Sequence, residues 1–223
     1  MGFSGQFVFG CSDQSLLEAG AFDGVRPPWG DGVHELWPRP GGWQTLQFRD
    51  ERWGLEELRA LVEWSGVEWS GAPACFAMVH DSEVAHVVGL APDGREWQAV
   101  LGLAIAAEMG IGRPRNVHDD LDWVDSPNYA EAVSTGRAAL EAAVSASAEA
   151  AIAWAAAAGV VTAAEQGAVE AVLRSQEVFV EDLFTGLLGA PGFPAAIESV
   201  DDAEVQAARR ATGSPLVWPR GKR

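Results

Sequence analysis

The sequence predicts an α+β protein: an N-terminal mixed α/β region with a small, mostly antiparallel sheet, followed by an Ala-rich antiparallel helical hairpin. The first half contains short β-prone runs separated by turn residues, and the second half contains a long Ala-rich segment and a further helical segment. We divide the 223 residues into a Trp-rich acidic region at 1–126, a helical hairpin at 127–190, and a Pro-containing segment with a basic end at 191–223.

Five short apolar or β-prone runs in the first half are bounded by Gly, Pro or polar turn residues. We predict strands at 6–9, 43–48, 74–79, 84–90 and 96–101, the last three forming a meander. Residues 91–94 fit a type I turn, with Pro92 at its second position and Gly94 at its fourth. Helices are predicted at 55–65 and 102–109, whereas the Gly- and Pro-rich segment 19–42 is predicted to be an irregular loop.

The first helix of the hairpin is predicted from about 128 to 158. Asp125 or Ser126 can cap it, and Pro127 suits the first helical position. Alanine, the best helix former, dominates the segment, and Gly159 ends it. A narrow apolar stripe suited to close helix packing contains Leu140, Val144, Ala148, Ala151, Ile152 and Ala155.

The second helix of the hairpin is predicted to run from a capping box to about Leu188. In that box Thr162 and Glu165 satisfy each other's free backbone amides. Two helical segments joined by so short a connection pack antiparallel, so the chain is predicted to turn at 159–162.

The formal net charge of −17 is spread over both halves of the chain. Such a field repels nucleic-acid phosphates and anionic lipids and attracts basic proteins. We therefore expect no nucleic-acid and no membrane binding, and a protein partner with a basic surface. The other interpretation is that the charge serves solubility alone. Part of the positive charge is concentrated at the C-terminal end, in Arg209, Arg210, Arg220, Lys222 and Arg223.

Cysteine content and the N-terminal residues favour a cytoplasmic protein. Only Cys11 and Cys75 are present, and Cys75 lies in an apolar run where a free thiol packs as a small hydrophobic group. The N-terminal residues lack the basic and apolar regions of a signal peptide. A single Lys, with abundant Arg, Ala and Gly, is a composition typical of high-GC bacteria.

No local motif predicts a catalytic, cofactor or metal site. Cys11 follows a predicted strand, but the residues around it do not form a nucleophile elbow. No phosphate-binding loop and no paired zinc-ligand motif occurs. The acidic run 118–125 departs from the EF-hand spacing, so we interpret it as a solvated loop before a helix. His80 and His86 flank the turn of the predicted 74–90 hairpin and are interpreted as turn-flanking polar residues.

Most of the ten tryptophans lie in the first half, several of them in Gly- and Pro-rich segments. We predict that Trp29, Trp37, Trp64 and Trp69 bind a partner, because tryptophan is enriched at interface hot spots. Trp64 and Trp69 belong to a tandem repeat of five residues at 62–66 and 67–71. Filling of the core and stacking on a small ligand are the alternative roles.

These observations favour an intracellular protein–protein interaction module that uses an acidic, Trp-bearing surface. An immunity-type inhibitor of a basic toxin and a subunit of a larger assembly are two versions of this hypothesis. The alternative is an enzyme or small-ligand-binding protein whose His, Asp and Cys residues come together from distant parts of the chain. A deep pocket lined by such residues would favour the alternative, and a flat Trp-bearing face the interaction module.

Overall fold

The structure, a computed structural model, describes residues 2–12, 15–16, 33–48, 73–112, 114, 119–160 and 165–197. Its centre is a six-stranded sheet in which every neighbouring pair is antiparallel, in the order β2-β3-β1-β4-β5-β6. The strands are β1 Gly5–Cys11, β2 Val33–Pro38, β3 Trp43–Phe48, β4 Ala74–His80, β5 Val84–Leu90 and β6 Glu96–Leu101. The five predicted strands are confirmed, and so is the predicted α+β class.

Helices follow the sheet along the chain. They are α1 Leu103–Met109, α2 Asp120–Val124, α3 Pro127–Ala157, α4 Gln166–Arg174 and α5 Val180–Gly189. The short helix predicted at 102–109 is confirmed as α1, whereas the helix predicted at 55–65 lies outside the described residues. None of the helices in the described ranges is long and apolar enough to cross a lipid bilayer.

The prediction of an irregular loop at 19–42 is wrong from residue 33 onward. Residues Val33–Pro38 form the edge strand β2, and a 3-10 turn at Pro40–Gly42 leads into β3. Proline is tolerated at the end of an edge strand because its missing N–H faces no neighbouring strand. Pairing with β3 and packing of Trp37 on Phe7 therefore outweigh the local loop composition.

The long first helix of the hairpin is confirmed as α3. The Ser126 hydroxyl accepts a hydrogen bond from the backbone N–H of Tyr129 at 3.1 Å, and Pro127 occupies the first helical position. After Ala157 the chain passes through Gly159, whose φ of 70° lies in the left-handed region. The buried stripe contains four of the predicted residues together with Trp154: Val144, Ala148, Ala151, Trp154 and Ala155.

The second helix of the hairpin differs from the prediction, because it is divided into α4 and α5 and not continuous. Residues Ser175 and Phe179 at the break have extended backbone, and the N–H of Val180 donates to the carbonyl oxygen of Ser82 at 3.0 Å. The break lets α4 pack against α3 while α5 packs beneath the sheet. The predicted capping box is only partly described: Glu165 is the N-cap of α4, with no side-chain cap hydrogen bond, and lies outside the helix, whereas Thr162 lies outside the described residues.

The antiparallel direction of the hairpin is visible in contacts between α3 and α4. Near the start of α4, Nε2 of Gln166 donates to the Ser145 hydroxyl at 2.8 Å, and at its end Nε of Arg174 lies 3.4 Å from Oε2 of Glu141. As α4 advances, its partners on α3 therefore move back along the chain.

One hydrophobic cluster joins a face of the sheet to the helices. Its centre is aromatic: the ring of Phe193, which follows α5, lies 5.0 Å from Phe9, 4.7 Å from Trp43 and 5.0 Å from Trp154 between centroids. The Trp154 indole also donates to the carbonyl oxygen of Leu90 at 3.2 Å. The long helix and the segment after α5 are thus anchored to the sheet by the same rings.

The opposite face of the central strands is buried as well. Residues 5–10 of β1 and all of β3 are buried, including Val8, Leu46 and Phe48. A strand covered on both faces needs no alternation of apolar and polar residues. This explains why apolar and polar residues do not alternate strictly along the sequence of residues 43–48.

Candidate functional site

An open cleft of about 310 Å³ lies between the β2–β3 end of the sheet and α5. We call it the Trp37 cleft. Its floor consists of buried side chains, namely Phe7, Arg39, Thr45, Gln47 and Phe184. Its rim consists of partly or fully exposed residues, namely Trp37, Glu181, Asp182, Thr185 and Ala196.

The aromatic wall of the cleft begins with Trp37 on the edge strand β2. The Trp37 ring lies 5.8 Å from the ring of Phe7, which in turn stacks on Phe184 of α5 at 5.4 Å. Trp37 is only partly buried, whereas the other two rings belong to the core. The wall therefore presents apolar surface to solvent while its base is fixed by core packing.

Arg39 is a buried cation in the floor of the cleft, with 5% of its surface exposed. Its Nε donates to the Thr45 hydroxyl at 3.1 Å, and its Nη1 donates to the carbonyl oxygen of Pro194 at 2.8 Å. The guanidinium carbon also lies 5.5 Å from the centre of the Phe9 ring. Burial lowers the pKa of Arg39, although an arginine side chain remains protonated in proteins.

The hydrogen-bonding capacity of the floor is only partly used. Arginine has five N–H hydrogens, and Arg39 uses two of them on the neutral acceptors Thr45 and Pro194. The side-chain amide of Gln47 makes no hydrogen bond to any residue in the described ranges. Polar groups with free donors and acceptors beneath an aromatic wall are typical of a binding site.

Glu181 is held at the opposite wall by a hairpin turn of the sheet. The Ser82 hydroxyl donates to Oε1 of Glu181 at 2.6 Å and accepts from the N–H of Phe3 at 2.7 Å. Asp81 and Ser82 both have positive φ, 50° and 60°, as the central residues of a type I′ turn require, and the N–H of Glu83 donates to the carbonyl oxygen of His80 at 3.0 Å. The second oxygen of Glu181, Oε2, is buried and has no hydrogen-bond partner within the described part of the chain.

Of the four tryptophans predicted to bind a partner, the structure describes Trp37 alone. Trp29, Trp64 and Trp69 lie outside the described residues. Trp43 and Trp97 are buried in the core, and Trp123 is half-buried with its ring 5.8 Å from that of Tyr129. Core filling is therefore the role of Trp43 and Trp97, whereas Trp37 lies at a surface cleft.

Neither Arg39 nor Glu181 is predicted as a site residue from the sequence. Arg39 stands between two prolines, which gives no sign that the side chain will be buried. Glu181 and Asp182 resemble ordinary acidic residues of a helix first turn. Only the position of α5 beside β2 and β3 makes these residues neighbours of Trp37.

The two cysteines lie apart from the cleft lining that the structure describes. Cys11 is half-buried, and its thiol donates to the Gly41 carbonyl oxygen at 3.5 Å. Cys75 is fully buried, and burial raises the pKa of its thiol, which opposes formation of the nucleophilic thiolate.

The acidic run at 118–125 contains a short helix instead of the expected loop alone. The Asp119 carboxylate caps α2 by accepting from the N–H of Leu121 at 2.8 Å, and His118 lies outside the described residues. In the portion of the chain that the structure covers, no three His, Cys, Asp or Glu side chains form a metal-binding group.

A second cleft, of about 270 Å³, lies between β5–β6 and α3. Its lining is mainly apolar, with His86, Gln98 and Ser147 as its polar side chains. The imidazole rings of His80 and His86 lie 6.3 Å apart. Their separation allows one ring to influence the charge of the other.

We expect His86 to have a pKa below the ordinary value of about 6.5. Partial burial of the imidazole is the main cause, although the residue as a whole is exposed, and the nearby His80 is the second cause. Because folding disfavours protonated His86, its contribution to stability is complete above pH 6.5 and declines as the pH falls below that value. NMR titration of the imidazole resonances measures the pKa. In the His80→Gln variant the pKa of His86 should rise only part of the way toward 6.5. A His86 pKa at or above 6.5 in the parent protein would contradict the expectation.

Comparison of the chain with protein-family models, with curated proteins and with solved structures gives no match. The function therefore has to be argued from the Trp37 cleft and from the charge of the chain.

Proposed function

We propose that this protein acts by binding another protein, and that the Trp37 cleft receives a segment of the partner. The observation that carries the proposal is the position of Trp37, partly exposed on an edge strand beside an acidic helix turn. Tryptophan combines a large apolar area with few rotatable bonds, which suits it to anchor a partner. The Trp37 ring packs against Phe7, so binding of a partner requires little further ordering of this side chain.

The charge of the chain supports a partner with a basic surface. The net charge is −17, and two exposed arginines are already paired with acids, Arg95 with Asp93 and Arg174 with Glu170. Glu181 and Asp182 add negative charge at the cleft itself. Complementary charge accelerates encounter and excludes acidic proteins.

Binding of a small ligand is the second candidate function, and the polar floor of the cleft favours it. The volume of about 310 Å³ is at the lower end of small-molecule sites. The described lining contains Asp182 but neither His nor Cys, so this cleft does not support the hypothesis of an enzyme with a site of His, Asp and Cys residues.

Trp37→Ala should weaken partner binding by about 2 kcal/mol or more, roughly thirtyfold, mainly through faster dissociation. The partner is first recovered from the native host by pull-down, and the affinities of purified proteins are then measured by surface plasmon resonance. Trp123→Ala is the matched control, since this half-buried tryptophan lies outside the cleft. Circular dichroism melting verifies that both variants fold.

A charge comparison completes the test. Asp182→Asn should slow association, whereas Glu149→Gln, an exposed carboxylate on α3, should have a smaller effect. Salt should also slow association, because screening shortens the reach of charges to about 8 Å at physiological ionic strength. If the recovered partner binds Trp37→Ala and the parent protein equally well, the cleft is not its binding site.

A further inference from the structure

Arg39 carries a positive charge that the described structure leaves without a counter-ion. The residue is 5% exposed, and its two hydrogen bonds go to neutral oxygens. Among the described residues no carboxylate lies within ion-pair distance of it. A buried charge is costly unless it is paired, so a buried cation at the floor of an open cleft is suited to receive an anion.

The groups around Arg39 suit a carboxylate. Three of its N–H hydrogens are unused in the described structure, and a guanidinium can offer parallel N–H groups to both oxygens of a carboxylate. The amide of Gln47, which has no hydrogen-bond partner among the described residues, lies in the same floor and supplies a further donor. Phe7 and Trp37 provide apolar surface for the rest of such a ligand.

A monoanion fits this site better than a phosphate. Arg39 is the only cationic side chain among the described residues that line the cleft, and Glu181 and Asp182 stand at its rim. A phosphate group carries up to two negative charges, so it would meet greater repulsion from these carboxylates and from the net charge of −17.

We propose that the floor of the Trp37 cleft, formed by Arg39, Thr45 and Gln47, is a binding site for a carboxylate group attached to an apolar body. The carboxylate belongs either to a small organic acid or to the end of a partner's chain, and the chemistry of recognition is the same for both. This inference goes beyond the proposed protein binding and does not depend on the partner's basic surface.

Three aromatic probes of similar size and different charge test the site: benzoate, benzamide and benzylammonium. Binding to the full chain is measured by isothermal titration calorimetry and by NMR shift mapping. Benzoate should bind in the cleft at least tenfold more tightly than benzamide, and benzylammonium should not bind there. Binding of benzylammonium as tight as that of benzoate would overturn the proposal, and so would the absence of benzoate binding.

Two substitutions in the floor separate recognition from folding. Arg39→Met should abolish benzoate binding, and Gln47→Leu should weaken it severalfold. Because Arg39 also donates hydrogen bonds to Thr45 and Pro194, the Arg39→Met variant can fail to fold. In that case the benzoate affinity of Gln47→Leu is the deciding measurement. Gln98→Leu, an exposed glutamine on β6, is the matched control. Unchanged benzoate affinity in Gln47→Leu would contradict the proposal.

A second pair of probes distinguishes the two sources of the carboxylate. N-acetylphenylalanine imitates a chain end, and N-acetylphenylalaninamide is its uncharged control. Tighter binding of N-acetylphenylalanine than of benzoate supports a chain end, and the reverse order supports a free acid. Failure of all carboxylates alongside a large Trp37→Ala effect on the recovered partner would reject this site and leave the proposed function standing.

Discussion

Phe193→Ala should lower the free energy of unfolding by about 3–5 kcal/mol, the range for truncation of a buried phenylalanine. Phe193 is 3% exposed, and its ring lies within 5.0 Å, centroid to centroid, of Phe9, Trp43 and Trp154. Removing the ring leaves a cavity between the sheet, α3 and the segment after α5. The surrounding rings are large and mutually packed, so they can fill that space only in part.

Urea denaturation followed by tryptophan fluorescence and by circular dichroism measures this loss. Ile197→Ala is the matched control in the same segment, because the Ile197 side chain is 54% exposed and should change stability by less than about 0.5 kcal/mol. Similar midpoints for the two variants would show that Phe193 does not anchor the segment. Phe193→Ala should also weaken benzoate binding, since Pro194 beside it accepts a hydrogen bond from Arg39.

Gly89→Ala should lower the free energy of unfolding by about 2–3 kcal/mol, as expected for overpacking of a core. A Cβ atom at position 89 would overlap Nε1 of Trp97, the direct partner of Gly89 across β5 and β6. Trp97 cannot easily move, because it is 5% exposed and its ring lies 5.5 Å from that of Trp154.

Thermal and urea unfolding of Gly89→Ala test this expectation. Gly167→Ala is the control, since no neighbouring atom of the described residues lies within 4 Å of the added Cβ and alanine favours α4 by about 0.5–1 kcal/mol. Trp97→Leu in the Gly89→Ala background should destabilise less than it does alone, because it removes the clash. If Gly89→Ala is as stable as the parent protein, β5 and β6 move apart at this position without loss of stability and the expectation is wrong.

Local signals were sufficient to predict the elements that short-range contacts define. The turn at 91–94 is confirmed by a hydrogen bond of 2.9 Å from the N–H of Gly94 to the carbonyl oxygen of Ala91. The start of α3 is confirmed by the Ser126 cap. In both cases the decisive contact joins residues three positions apart, so the sequence pattern contains the information needed.

The elements that were missed depend on distant parts of the chain. Strand β2 exists because β3 pairs with it, and the break before α5 coincides with a hydrogen bond from Val180 to the hairpin turn at Ser82. Neither partner can be recognised from the residues around the element itself. Propensity and periodicity are weak where tertiary contacts decide the backbone.

The candidate site was predicted only in part for the same reason. Trp37 was identified by residue type, whereas Arg39 and Glu181 carry no local sign of their environment. The cleft lining extends along the sequence from Phe7 to Ala196, and its geometry exists only once the sheet and α5 have come together. A site assembled from distant parts of the chain has no local sequence motif.

The position of β1 in the middle of the sheet has a consequence for the order of folding. Strands β4, β5 and β6 are consecutive hairpins, so their contacts close short loops, whereas Gln6 of β1 must find Met78 of β4 across a long stretch of chain. Closing long loops costs entropy before contacts compensate for it, which slows such steps. We expect the meander to form first and the pairing of β1 with its neighbours to follow. Since Phe7 of β1 helps form the floor of the cleft, a nascent or partly unfolded chain would lack the proposed binding surface, and we expect the proposed partner to bind only the folded protein.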